Sequence, residues 1–390
     1  MRDYAARTSQ LKPEGAYQVL ARAQALEAQG RKIIHLEIGQ PDSDTFANIS
    51  EAGRNAIAAG RTHYTPPSGL PELRAAIADA AGLQRGVHFQ PEQVVVGPGT
   101  KPNMFYSTLA LVEPGDDVLY PDPGFPTYKA MIEVAGGIPV PVPLEEENGF
   151  SFDLDAFDRL VSERTRLIIL NSPSNPTGGV LPLSDLEHIA QAAQRYNCWV
   201  LSDEIYMRIV YDGTQAPSIV SLPGMLDRTI VVDGFSKTYA MTGWRLGYGI
   251  MPVELARRID LLLTHSVGSS AEFTQLAGLE AIRGPQARVT EVVKEYQARR
   301  DLLVDALNRI PGLSCQKPLG AFYVFPNVRS FGMKSSELAD YLLEQGGVAV
   351  LPGSAFGEYG EGYLRLSYST SQEIIRAGLD CISSALGKLR

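Results

Sequence analysis

Cysteine is scarce in this sequence and poorly placed for structural work. Only Cys198, Cys315 and Cys381 occur. They are far apart, odd in number and without a C-x-x-C pair, which excludes a disulfide framework and a thiolate zinc site. Free thiols in a reducing compartment are expected. Histidine is sparse too. His35, His63, His88, His188 and His265 show no metal-ligand spacing, so isolated structural or surface roles are expected and no metal is. No apolar run approaches the ~18–20 residues that cross a bilayer, and the polar stretch Met1–Leu11 lacks the apolar centre of a signal peptide. These absences predict a cytoplasmic protein without membrane contact. Positive charge is not in excess: the formal charge is −9, with Lys and Arg scattered, so nucleic acid is not an expected partner. No G-x-G-x-x-G opens a helix early in the chain, which argues against a dinucleotide. Lys101, followed by Pro102, lacks the spacing of a nucleotide P-loop.

What is present is a long, ordinary globular chain of 390 residues, 44% apolar and 20% charged, enough for two or three domains. Short, β-branched, almost uninterrupted runs recur at Gln93–Val96, Asp117–Leu119, Leu167–Leu170, Trp199–Leu201 and Thr229–Val232. Strands buried on both faces of a parallel sheet read this way. Helical segments are expected between them at Glu72–Ala81, Lys101–Leu111 and Leu183–Tyr196, the last opened by a capping box of Ser184 and Glu187. The alternation predicts an α/β fold with a mostly parallel sheet. Near residue 285 the pattern changes. A long amphipathic segment, Gln286–Asn308, leads into what reads as a smaller α+β unit. The expected division is an N-terminal segment 1–45 that joins the small unit, a large domain 46–285, and a small C-terminal domain 286–390.

Four polar stretches carry chemistry: Asn171–Gly178, Ser202–Tyr206, Asp233–Gly247 and Tyr363–Tyr368. Amine chemistry on a carbonyl cofactor needs a lysine that loses its proton near neutrality, through burial beside another cation. Lys237 follows an apolar strand and has Arg245 eight residues on. A cofactor ring used as an electron sink needs a carboxylate against its ring nitrogen. Asp203 is the candidate, and an N-cap for the next segment is the alternative. A phosphate needs backbone N–H groups and a cation. Gly97-Pro-Gly99-Thr100-Lys101 opens a helix after a strand, with Ser236 and Arg245 as side-chain candidates; an ordinary tight turn is the alternative. Arg365 can give a carboxylate two parallel hydrogen bonds, and a surface strand arginine is the alternative there. Asn175 offers an amide in what is otherwise a turn. Tyr206 alone reads as a half-buried tyrosine at a strand end.

Together and in this order, these stretches strongly resemble fold-type I aminotransferases of the class I/II group that depend on pyridoxal 5′-phosphate (PLP), and the resemblance spans nearly the whole chain. Gly-Phe-Ser-Lys-x-x-x-x-x-Gly-x-Arg-Leu-Gly around Lys237 is similar to that family's cofactor-attachment signature. The resemblance implies a large PLP-transferase domain of three layers and a smaller α+β domain. It implies Lys237 as the Schiff-base lysine, Asp203 at the pyridinium nitrogen and Tyr206 at the ring hydroxyl. Asn175 would contact ring hydroxyl and substrate carboxylate, Arg365 would clamp that carboxylate with help from the backbone of Gly39, and Phe125 would stack on the ring. Tyr64 would reach the phosphate of a neighbouring subunit's cofactor, so a homodimer with shared active sites is implied. Three positions depart from the pattern. Phe125 stands where tryptophan or tyrosine is common, Gly234 where a phosphate-binding serine is common, and Gln40 where glutamate is frequent.

The implied activity is ping-pong transfer of an amino group from an L-amino acid to a 2-oxo acid. Lys12 and Lys101 look like the basic positions that bind a distal carboxylate in an aspartate aminotransferase subgroup. Lys101 as a plain helix-start lysine remains the other reading, and neutral, aromatic and basic donors stay open. The rival activity on the same fold is a PLP-dependent carbon–sulfur β-lyase.

Overall fold

The computed structural model of the chain describes residues 4–9, 11 and 13–389. Lys12, expected near a substrate's distal carboxylate, lies outside the described residues.

Every β-branched run in the sequence becomes a strand of one eight-stranded sheet. Its order is Val94–Gly97, Gly247–Ile250, Thr229–Gly234, Trp199–Asp203, Thr165–Asn171, Asp117–Asp122, Ile138–Glu145, Ser151–Phe152. Gly247–Ile250 runs antiparallel to both neighbours, and Ser151–Phe152 antiparallel to Ile138–Glu145; the other pairings are parallel. Successive side chains of a strand point to opposite faces, and both faces are covered. Ile168 and Leu170 enter one buried cluster with Leu186, Ile189 and Ala193 of the helix Leu183–Arg195. Leu167 and Ile169 enter another, with Met104 of Lys101–Leu111, Met131 of Thr127–Ala135 and Ile259 of Val253–Thr264. Two covered faces explain why the strands read as continuous apolar runs. Truncating a fully buried residue such as Ile168 to alanine should cost ~2–5 kcal/mol.

The C-terminal third builds a three-stranded antiparallel sheet of Tyr323–Val324, Leu364–Ser367 and Leu351–Pro352, flanked by the helices Ala287–Leu307 and Gln372–Gly387. The N-terminal segment packs here: Ile34–His35 pairs in parallel with Val348–Ala349, and Ala23 and Ile33 share a small cluster with Leu343 and Ala349.

Local readings needed correction in four places. The helix expected at Glu72–Ala81 runs from Pro71 to Arg85 and stops at Gly86, whose φ of +68° suits glycine. The run Gln93–Val96 begins as a strand only at Val94, because Pro91–Gln93 forms a 3₁₀ turn. The capping box at Ser184 does not form. Pro182 takes the N-cap position, so Ser184 is already helical, and its hydroxyl donates to Asp185 Oδ1 at 3.1 Å. Three strands of this sheet lie outside the runs read from the sequence: Ile138–Glu145, Ser151–Phe152 and Gly247–Ile250. Ile138–Glu145 carries proline at every second position, which places the missing N–H groups along one side, next to the short edge partner Ser151–Phe152. Gly247–Ile250 begins at the last residue of the signature around Lys237.

Candidate active site

Five parallel strands end along one edge of the sheet, at Gly97, Asp122, Asn171, Asp203 and Gly234. In such sheets ligands bind beyond these ends. The segments that follow deliver Thr100 and Lys101, Phe125 and Tyr128, Asn175, and Ser236 and Lys237 to a cavity of about 620 Å³. The C-terminal third closes it with Tyr323, Phe356 and Arg365, and the N-terminal segment with Glu14, Tyr17 and Gly39.

Asp203 is the last residue of its strand and only 4% exposed. Its Oδ2 accepts the Tyr128 hydroxyl at 2.7 Å and its Oδ1 accepts the Ile205 N–H at 3.3 Å. The second bond closes a local turn; no helix follows there for Asp203 to cap, so the N-cap alternative does not describe it. Burial pushes the Asp203 carboxyl up to about 6, against the pull of these two bonds. No cation pairs with it among the described residues.

Lys237 Nζ donates to the Gly39 carbonyl at 2.6 Å and lies 6.0 Å from the Tyr206 ring centroid and 5.7 Å from that of Phe322. Desolvation, then Arg365 and Arg245, bring its ammonium down to about 8. The sequence pointed to Arg245 as the neighbouring cation; Arg365, from the far end of the chain, contributes more.

Beside them is a saddle of glycines. Gly99 has φ +87°, and a Cβ there would come within 2.2 Å of Arg245 Nη2. A Cβ on Gly247 would meet the Gly99 carbonyl carbon and the Thr100 nitrogen at 2.6 Å. Thr100 is the N-cap of Lys101–Leu111 without a side-chain bond of its own, and the helix has no acidic residue in its first turn. The exposed Arg245 guanidinium rests on carbonyls, donating to Thr242 at 3.1 Å and to Pro98 at 3.3 Å. Its backbone is left-handed, φ +53°, a conformation a non-glycine residue holds only under constraint from its surroundings.

Arg365 is no surface arginine: it is 4% exposed. It donates to Asn175 Oδ1 at 3.2 Å and to the Glu37 carbonyl. Its guanidinium lies 4.5 Å from the Tyr323 ring centroid and 5.1 Å from that of Phe356. Its Nε is buried without a partner, and no carboxylate pairs with it among the described residues. The Tyr206 and Tyr323 hydroxyls are 2.7 Å apart. Gly39 accommodates Tyr323: a Cβ there would lie 2.1 Å from the Tyr323 hydroxyl oxygen.

Phe125 lies edge-on to Tyr128, centroids 5.7 Å apart, with Lys101 Nζ 5.2 Å from its ring centroid. Lys101 is ion-paired with Glu14. Tyr64 is not brought to this cavity; its side chain is 99% exposed. Sequence reading missed Tyr128, Tyr323, Phe356 and Glu14. Tyr128 lies three residues after Phe125 and could have been weighed, but nothing local marked the other three.

The family model "Aminotransferase class I and II" matches residues 31–382. An aspartate aminotransferase of Pyrococcus horikoshii is 41% identical, over 91% of this chain and 90% of that protein. An aromatic-amino-acid aminotransferase of Thermococcus litoralis is 38% identical, over 97% of each. The solved aspartate aminotransferase of Thermus thermophilus with maleate superposes with a TM-score of 0.93 at 36% identity, covering 99% of this chain and all of that one. These relatives are aminotransferases, which does not favour the carbon–sulfur lyase alternative. The chain therefore belongs to the aminotransferase class I and II family and is an enzyme that transfers amino groups, in a family whose chemistry implies pyridoxal phosphate.

Proposed function

We propose that the cavity holds pyridoxal 5′-phosphate on Lys237 and moves an amino group between an L-amino acid and a 2-oxo acid. The observation that carries this reading is a set of charged groups facing one space without counter-ions among the described residues: the buried Asp203 carboxylate, Lys237 with its lowered pKa, and the buried Arg365 guanidinium. Each complements one part of the cofactor or substrate. Asp203 would take a protonated ring nitrogen, Tyr206 and Asn175 the ring hydroxyl, and Phe125 a ring face. Gly99, Thr100, Ser236 and Arg245 would take the phosphate, with Lys101 near it. Arg365, with Asn175 and the Gly39 backbone, would take the substrate's α-carboxylate.

When bound, pyridoxal phosphate supplies an aldehyde for the amine and a ring that draws electrons from the substrate's α-carbon. The rest is the work of this chain. Lys237 Nζ, with a pKa of about 8, is neutral in a useful fraction near neutrality. It accepts the α-proton and later returns it, acting as base and then acid. Asp203 would keep a proton on the cofactor's ring nitrogen, and the Tyr128 hydroxyl holds that carboxylate in place. Arg365, set between Tyr323 and Phe356, orients the α-carboxylate.

We further propose a homodimer in which the exposed Tyr64 reaches the partner subunit's cofactor phosphate; its 99% exposure supports this. The division into segment 1–45 with domain 286–390, and domain 46–285, is supported by the pairing of Ile34–His35 with Val348–Ala349. No helix among the described residues is long and apolar enough to cross a membrane, and three free cysteines suit a cytoplasmic site of action. The test is an absorption spectrum of purified protein. A yellow preparation should bleach on adding an amino donor and recover its colour on adding a 2-oxo acid. Release of ammonia without that reversible bleaching would favour a lyase.

A further inference from the structure

We propose that Glu14 sets the substrate class: by occupying Lys101 it disfavours side chains with a distal carboxylate, so the cleft prefers neutral, apolar or aromatic amino acids. The inference rests on the aminotransferase reading above and adds the substrate it prefers. Among the described residues four cations line the cavity: Lys101, Lys237, Arg245 and Arg365. Three have proposed duties at the amine, the phosphate and the α-carboxylate, and among the described residues none of those three is ion-paired. Of these four, Lys101 is the one left to receive a second carboxylate, and it alone is already paired, to Glu14.

The position of Glu14 makes the pair more than an incidental surface contact. Glu14 is the N-cap residue of the helix Gly15–Glu27, where a carboxylate ordinarily accepts an N–H from its own first turn. It accepts none there. It crosses the cleft instead to Lys101, and the Thr127 hydroxyl lies 3.4 Å from the same oxygen. A dicarboxylic substrate must therefore displace Glu14 or sit against a like charge. The surrounding wall, with Tyr17, Leu20, Met104 and Phe125, suits an apolar side chain.

The test compares aspartate with phenylalanine as amino donors for the cofactor-loaded enzyme and its Glu14→Gln variant. The aspartate-to-phenylalanine ratio of kcat/KM should rise about three- to fivefold in E14Q, the scale of one unfavourable charge contact in a part-exposed cleft. Adding Lys101→Ala to E14Q should remove that gain. An unchanged or lowered ratio in E14Q overturns the proposal. Calorimetry on the wild-type holoenzyme decides the matter independently should E14Q fail to fold. 3-Phenylpropionate should bind more tightly than succinate, and the reverse order overturns the proposal. Failure of the folded wild type to transfer an amino group from any amino acid would instead overturn the parent reading.

Discussion

Asp203 and Glu204 are adjacent in sequence, yet they live in opposite electrostatic worlds. Glu204 turns away from the cavity and joins a closed cluster. Its carboxylate accepts Arg85 Nε at 2.7 Å and the hydroxyls of Ser202 and Ser218 at 2.7 and 2.6 Å. Arg85, with no exposed side-chain surface, also donates to Asp233 at 3.0 Å, and Asp233 accepts Tyr248 and the Gly234 N–H. The one guanidinium there is shared by two carboxylates, and hydroxyls and a backbone N–H supply the rest of their partners. Asp203, one residue earlier and on the other side of the extended backbone, has only a tyrosine hydroxyl and a backbone N–H. The closed cluster ties together the strand ends that carry Asp203 and Lys237. The open set is left short of partners, and that shortage is what a ligand can satisfy. Buried charges that are paired hold structure; those left unpaired mark the place where something binds.

The comparison breaks most visibly at Lys237. Lys237→Ala should lower amino transfer by at least ~10⁴-fold, since it removes both the covalent anchor and the base, while the denaturant midpoint changes little. Arg85→Met should do the opposite. Leaving Glu204 and Asp233 buried without a cation should cost ~3–5 kcal/mol of stability, read from urea unfolding. Replacing Arg85, Glu204 and Asp233 together by uncharged residues of similar size should recover much of that loss. Arg365→Lys keeps the charge and loses the planar fork, so kcat/KM should fall about 100-fold, with little change in the rate of cofactor loading. Lys237 also predicts a pH dependence. Its ammonium cannot attack an aldehyde, and its pKa lies near 8. The rate at which cofactor-free protein takes up pyridoxal phosphate should therefore rise as pH increases through about 8 and then level off. Smallest is Tyr128→Phe. Losing the bond that holds Asp203 down should raise its carboxyl further and cost roughly three- to tenfold in rate. The absorbance of the bound cofactor should become more pH-sensitive.

The open set was largely legible in the sequence because its members sit in contiguous motifs just after strands: Asn175, Asp203, Ser236 and Lys237 each follow an apolar run by a few residues. The fold class was legible for the same reason, since double burial writes itself as unbroken apolar runs. The closed cluster was not. Arg85 lies four residues past the helix end expected at Ala81, and nothing near it in sequence signals that Glu204 and Asp233, more than a hundred residues on, will surround it. Tyr323 and Glu14 were hidden in the same way, because their partners Arg365, Tyr206 and Lys101 come from other parts of the chain. Gly247–Ile250 was hidden because Gly247 closes the Lys237 signature and one of its two partner strands, Val94–Gly97, comes from far earlier in the chain. The Ser184 capping box failed because Pro182 claimed the cap two residues earlier. Local chemistry is visible along the chain; complementary charge across it appears only after folding.

The most direct test of the central claim is chemical trapping. Borohydride reduction of the pyridoxal phosphate-loaded enzyme, followed by proteolysis and mass spectrometry, should place the cofactor's mass on the peptide containing Lys237 and on no other. A label on Lys101 or another lysine, or no label on a protein that still transfers amino groups, would contradict the account.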